Sequence, residues 1–242
     1  MSTLLTAQLT PQRFPADDAA MTQRPAPTTP VRLSRETILD AYIRLADREG
    51  PEAVSLRRLG AELGVDATAV YRHFRDKAAL LEAVADRLLS ALADRVVRTD
   101  DWRLDLHELG LRARAMYLGH PRLARVIAAS PEPLPGNVRL MEYVLDRLRL
   151  AGCSVEDAAP TYETLVAYVA GGSSLEAEPA ITSNASLRRQ LASLDTGAYP
   201  VTVDAAVHLF DDDDAAFRFG LDLFLDGVEA RVAAVADRAA EA

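Results

Sequence analysis

At 242 residues the chain can build one large domain or two modest ones with ample core. Its composition, 49% hydrophobic but only 6% aromatic and dominated by Ala, Leu and Arg, favours helices over strands. The single Cys153 excludes an internal disulfide framework, no apolar run approaches a membrane span, and a net charge of −9 speaks at first against a nucleic-acid partner.

Residues 1–31 are rich in Pro, Thr, Ala and Gln, lack periodicity and lack the apolar stretch of a signal peptide. They read as a disordered arm on what is expected to be a reduced, cytoplasmic protein without a membrane segment. From Ser34 the pattern changes. Ser34 can cap a helix in which Ile38, Ala41, Tyr42, Leu45 and Ala46 recur at helical spacing up to Gly50-Pro51. Ser55 caps a short second helix with Leu56, Leu59 and Leu63 on one side, and Gly64 ends it as a left-handed C-cap. Asp66 caps a third helix, Ala67 to Phe74, and Asp76 caps a long fourth from Lys77 to about Val97.

Beyond Asp100, the segments Arg103–Gly119, Pro121–Ala129, Asn137–Ala151 and Val155–Glu178 repeat apolar residues at three- and four-residue spacing. Ser154 with Asp157 reads as a capping box. Residues 179–210 are the least regular, with one short helix predicted at Leu187–Leu194, and a last helix runs from about Asp212 to Arg238. The fold class is therefore all-α: a three-helix N-terminal head over residues 32–80 and a larger helical domain over 81–242.

The stretch Leu59-Gly60-x-x-Leu63-Gly64-Val65-x-x-x-x-Val70-x-x-x-Phe74 is that of a helix-turn-helix. Gly60 is small where the two helices cross, and Gly64 makes the turn between them. Leu59, Leu63, Val65, Val70 and Phe74 hold the angle, while Ala67, Thr68, Ala69, Tyr71, Arg72 and His73 are left facing outward, as a major-groove reading helix requires. The charge distribution removes the objection from net charge. Residues 32–77 carry +1 and residues 78–242 carry −10, so a neutral to slightly basic head sits on an acidic body.

The run Val65-Asp66-Ala67-Thr68-Ala69-Val70-Tyr71-Arg72-His73-Phe74-Arg75-Asp76-Lys77-Ala78-Ala79-Leu80-Leu81 resembles the signature of the TetR family of bacterial transcriptional regulators. The resemblance implies a homodimer that reads a palindromic operator in double-stranded DNA, with a C-terminal domain for dimerisation and ligand binding; in most members the ligand releases the operator. It assigns Lys77, the only lysine in the chain, to a phosphate clamp at a helix N-terminus. Arg57 falls on a base-contacting position able to pair bidentately with guanine. Tyr71 and His73 fall on backbone- or base-contacting positions, Thr68 and Arg72 serve as base readers, and Ser55 bonds a phosphate.

Trp102, His120-Pro121-x-Leu123, Gly171-Gly172-x-x-Leu175-Glu176 and Phe217-x-Phe219-Gly220-Leu221-x-x-Phe224-Leu225-x-Gly227 resemble the tetracycline-repressor type of C-terminal domain. A glycine inside a helix costs about 1 kcal/mol against Ala, so Gly171, Gly172, Gly220 and Gly227 are expected where another helix comes close. Helices 155–178 and 212–238 are expected to form a four-helix bundle with those of a second copy.

Tetracycline repressors hold a drug–magnesium chelate with a His and an acid. Here Glu176 falls near the acidic position, but the metal-binding His position falls near Ile127, and the drug-contacting positions fall near Ala91 and Leu109. A tetracycline–magnesium effector is therefore disfavoured, and a small, mainly apolar effector is expected in a pocket drawn from Leu104, His107, Leu111, Met116, Tyr117, Val126, Ile127, Val144, Leu148, Tyr162 and Val166, with Glu176 nearby. A second reading keeps DNA binding but dispenses with the effector, the dimer acting constitutively or through a protein partner. Four scattered histidines without metal-ligand spacing, and no Gly-rich phosphate loop, argue against an enzyme, a metal or a cofactor.

Overall fold

The protein is described by a computed structural model over residues 33–128, 133–177 and 183–240; the N-terminal arm lies outside them. Eleven α-helices, one 3₁₀ turn and no strand occur among the described residues. The first four helices are α1 (Arg35–Glu49), α2 (Leu56–Leu63), α3 (Ala67–Tyr71) and α4 (Lys77–Ala93). Each starts on the side-chain cap that the sequence offers. Ser34, Ser55, Asp66 and Asp76 accept from the amides of Thr37, Arg58, Thr68 and Ala79 at 3.1, 3.1, 2.8 and 2.8 Å. Helix α3 is shorter than expected: its last turn opens after Tyr71 so that Phe74 can plug the core at 1% exposure. Helix α4 ends at Ala93, four residues early.

The body continues with α5 (Trp102–Gly119), the 3₁₀ turn Pro121–Leu123, α6 (Ala124–Ala128), α7 (Pro135–Leu150) and α8 (Val155–Ala177). The expected ends of the last of these segments at Glu178, and of the α6 segment at Ala129, fall outside the described residues. Ser154 accepts from the Asp157 amide at 3.1 Å, as the capping-box pattern requires. Then follow α9 (Asn184–Ala192), α10 (Pro200–Ala205) and α11 (Asp213–Ala240). Helix α10 was not legible in the sequence: six residues with none buried carry no apolar periodicity. The aspartate run before α11 acts as cap and ion-pair partner, with Asp212 accepting from the Ala215 amide at 2.9 Å and Asp214 receiving Arg114 at 2.6 Å and Arg218 at 2.8 Å.

One apolar core runs from α1 through α4 into α5, α7, α8 and α11. Two glycines let helices meet inside it. A Cβ on Gly110 would lie 2.8 Å from Leu221, and one on Gly136 would lie 2.5 Å from the Ser90 amide nitrogen. The Gly136 amide, at the start of α7, donates to Asp86 of α4 at 2.7 Å. The bundle glycines divide. Gly220 packs within the chain, where a Cβ would strike the Tyr168 ring of α8, itself stacked on Phe217, so the helix that comes close there is α8 of the same chain. Gly171, Gly172 and Gly227 face open space.

Candidate DNA-reading face and ligand cavity

The head is built to hold α3 at a fixed angle. Gly64 sits at φ 67°, and the Val65 amide bonds back to the Gly60 carbonyl at 2.9 Å, closing α2 with a Schellman-type turn. A Cβ on Gly60 would come within 3.1 Å of the Val65 carbonyl oxygen and 3.3 Å of the Ala67 backbone. Ile38, Tyr42, Leu45, Val54, Leu59 and Val70 are fully buried beneath. Burial, followed by the Glu52 carboxylate, pushes the Tyr42 hydroxyl up to about 12, so it stays a neutral donor to the Pro51 carbonyl at 3.2 Å. On the surface Arg58 braces α2 against α1 through Glu49 at 2.8 Å and is itself held within α2 by Glu62 at 3.1 Å. Arg35 lies 4.3 Å above the Phe74 ring and donates to the His73 carbonyl, steadying the end of α3.

These constraints leave Ser55, Arg57, Thr68, Tyr71 and Arg72 exposed, and His73 and Lys77 half-buried. Tyr71 is 53% exposed, far more than a core tyrosine would be. The Thr68 hydroxyl, and then its amide, hold the Asp66 carboxyl below the usual range, so Thr68 is shared between cap and surface. The Lys77 ammonium donates to the Glu52 carbonyl at 3.2 Å and lies 3.8 Å from that residue's fully solvated carboxylate, a loose exposed pair that a phosphate can replace.

In the body, α4, α5, α7 and α8 line a partly open apolar cavity of ≈ 90 Å³. Its walls include Leu89 and Leu92 of α4, Met116 and Tyr117 of α5, Leu140 and Val144 of α7, and Tyr162 and Val169 of α8, with Asn137 among the few polar groups. Burial, and then the neighbouring Tyr162 phenol, push the Tyr117 hydroxyl up, keeping it protonated. Of the pocket residues expected from sequence, Met116, Tyr117, Val144, Tyr162 and Val166 line this cavity. Leu104, His107, Leu111, Val126, Ile127, Leu148 and Glu176 do not. Ile127 and Leu148 are closed into the core, Leu111 packs against it, and His107 faces Asp222 of α11 at 3.8 Å. Glu176 is held by the buried Arg114, which donates from Nε at 3.1 Å and Nη2 at 2.7 Å. Leu89, Leu92, Leu165 and Val169 were missed because apolar periodicity marks them as core without saying which core positions border a void.

Two connections run from cavity to head. Helix α4 carries Lys77 at one end and Leu92 at the other, about 22 Å apart at 1.5 Å per residue. At the end of α5, one turn beyond Met116, His120 Nδ1 meets Asp47 of α1 at 2.9 Å. A single helix thus ends at the outward face of the reading head and walls an apolar cavity.

Comparison with known proteins decides the kinship. The family description "Tetracyclin repressor-like, C-terminal domain" matches residues 97–232, and "Bacterial regulatory proteins, tetR family" matches residues 38–84. The chain belongs to the TetR family of transcriptional regulators. It is 31% identical to the class A tetracycline repressor from transposon 1721 of Escherichia coli, over 83% of this chain and 92% of that one. It is 29% identical to the HTH-type transcriptional repressor DrrR1 of Streptomyces coeruleorubidus, over 87% and 83% of the two chains. Among solved structures, apo ActR from Streptomyces coelicolor superposes with a TM-score of 0.76 at 26% identity, covering 86% of this chain and 99% of that one. ActR has also been solved in complex with actinorhodin, and that structure superposes at a TM-score of 0.73 and 28% identity over 83% and 98% of the two chains. TetR proteins of this kind are regulators rather than enzymes. No helix among the described residues is long and apolar enough to cross a membrane.

Proposed function

We propose that this TetR-family protein is a cytoplasmic homodimeric repressor, bound to a palindromic operator and released from it by a small, mainly apolar ligand. The observation that carries the reading is the apolar cavity walled by α4, the same helix that presents Lys77. A ligand that wedges α4 away from α5 and α7 displaces the head that α4 carries, and the two heads of a dimer then no longer match half-sites about one turn apart. On DNA, Lys77 and Ser55 hold phosphates, Arg57, Thr68 and Arg72 read base edges, and Tyr71 and His73 contact backbone or bases. Repressor relatives and a ligand-bound ActR support this reading.

Dimerisation uses α8 and α11. Their outer faces combine open-space glycines with exposed Phe219 and Leu223, an apolar seam that a second copy would cover. The engagement of Glu176 by Arg114 supports an effector other than a metal chelate.

The test begins with operator sites selected in vitro from random duplexes. The expected consensus is two-fold symmetric, and Arg57→Ala relaxes one base step in each half-site by about 1–3 kcal/mol. A compound panel is then titrated against bound operator. A compound that releases the wild type but not Ala113→Phe, whose ring fills the cavity, supports the reading. A consensus without symmetry overturns it, as does release that Ala113→Phe leaves untouched. A cavity that binds no compound favours an effector-free regulator.

A further inference from the structure

The cavity has a second compartment of different chemistry. A cleft of ≈ 520 Å³ between α4 and α5 is lined by Leu88, Ala91, Leu92 and Arg95 on one side and by Arg112, Ala115, Met116 and His120 on the other. Leu92 and Met116 also line the apolar cavity, so the two spaces adjoin at these side chains. Leu88, Ala91 and Leu92 form a stripe on α4 that Arg95 extends just past the helix end, and Arg112, Ala115 and Met116 form a stripe on α5 that ends at its cap, His120.

The cations stand out against an acidic body, since residues 78–242 carry −10. The neighbouring acids are engaged elsewhere, Asp94 with Arg139 at 2.7 Å and Asp146 with Arg98 at 2.6 Å and Arg147 at 2.7 Å. Arg95 makes no ion pair among the described residues. Arg112 is fixed in place by donating through Nη1 to the Arg95 carbonyl, and its Nη2 lies 3.5 Å from Glu108, a loose exposed contact that contributes little. The cleft therefore presents one guanidinium from each wall beside an apolar chamber, the arrangement that binds a carboxylate or sulfonate on a hydrophobic frame.

We infer that the effector of this protein is an amphiphilic anion: a one- or two-ring apolar body seated in the cavity behind Leu92 and Met116, with an acidic group held in the cleft by Arg95 and Arg112. At about 10–15 Å³ per water, the inner void has room for about six to nine waters, which matches a body of that size. The inference rests on the ligand-released reading given above and names the chemical class that reading leaves open. It also gives the ligand a grip on both helices that run to the head.

A matched probe pair tests it. 1-Aminonaphthalene and 5-aminonaphthalene-1-sulfonate share one two-ring carbon frame, and only the second bears a fixed negative charge. Both are titrated by fluorescence into the full-length protein, the Arg95→Gln/Arg112→Gln double variant and Ala113→Phe. The wild type is expected to bind the anion about tenfold more tightly than the neutral probe at low salt, an advantage that added salt reduces. The double variant should bring the two to parity while leaving neutral-probe affinity within about twofold, and Ala113→Phe should abolish saturable binding of both. If the neutral probe binds and Ala113→Phe blocks it, but no preference for the anion exists or the preference survives the double variant, the anionic subsite is wrong and the cavity reading stands. If neither probe binds saturably, or Ala113→Phe changes neither, the cavity reading fails and takes this inference with it. A double variant that melts at lower temperature yet keeps the anion preference reduces Arg112 to a brace for the end of α4 and overturns the assignment.

Discussion

Replacing Arg147 with Met should destabilise the protein by about 3–5 kcal/mol, the cost of leaving a buried charge without its partner. Asp105 on α5 is 3% exposed and accepts three hydrogen bonds: from the Thr99 amide at 2.9 Å, the Thr99 hydroxyl at 2.8 Å and Arg147 Nη1 at 2.9 Å. Arg147 on α7 also donates to the Thr99 carbonyl at 2.7 Å, so one guanidinium ties α7 to both α5 and the loop after α4. Without it the Asp105 carboxylate keeps its desolvation and loses its counter-charge. The paired replacement Asp105→Leu/Arg147→Met removes both charges, and should cost clearly less than Arg147→Met alone, since apolar isosteres of buried pairs are often tolerated. Urea unfolding followed by circular dichroism, at one protomer concentration, measures all three proteins. Burial pushes the Asp105 carboxyl up, but the bonds from Thr99 and Arg147 outweigh it and hold the net value below the ordinary 3.8. The folded value being the lower one, the carboxylate's contribution is complete above pH 3.8 and is lost as pH falls through the folded value. In Arg147→Met the carboxyl keeps its burial and loses the Arg147 contacts that hold it down, so its folded value rises; the gap between wild type and variant should begin to shrink above pH 3.8, as the variant takes up its proton, and go on shrinking below it. A single variant costing less than about 1 kcal/mol, or a double variant costing more than the single, would refute the reasoning.

Three further outcomes follow from the proposed roles. Lys77→Ala should weaken binding to every duplex alike and lower the slope of log affinity against log salt by about one; a loss confined to the selected operator would make Lys77 a base reader instead. Gly60→Ala places a methyl against backbone at 3.1–3.3 Å. The strain of about 1–3 kcal/mol should exceed the ~1 kcal/mol gained from helix propensity, so operator affinity should fall more than thermal stability; a higher melting temperature with unchanged affinity would contradict that. Gly227→Arg meets nothing within its own chain but puts a charge in the proposed α8–α11 seam. Sedimentation should show monomers that keep their helical content, and an intact dimer would move the interface elsewhere.

The head was largely legible in the sequence because its determinants are local. Ser34, Ser55, Asp66 and Asp76 each cap amides two or three residues away, and Gly64 supplies the positive φ that turns α2 into α3. The apolar spacing of α1 through α4 then left Thr68, Tyr71 and Arg72 outside with no long-range information. The body was legible as helices but not as a site. Arg114 meets Glu176 and Asp214 across 62 and 100 residues, which took Glu176 out of the pocket it was expected to approach. Ile127 and Leu89 look alike as buried aliphatics, and only packing decides that one is closed in while the other borders a void. The same holds for Gly220 and Gly227, one heptad apart on α11, the first filled by Tyr168 and the second open. Sequence by itself determined where the capped helices begin and which face of each is apolar, since those depend on neighbours three or four residues away, but not where α3 and α4 end. Tertiary structure alone decided where apolar faces fail to meet, and so where a ligand can sit, because a cavity is a property of several distant elements at once.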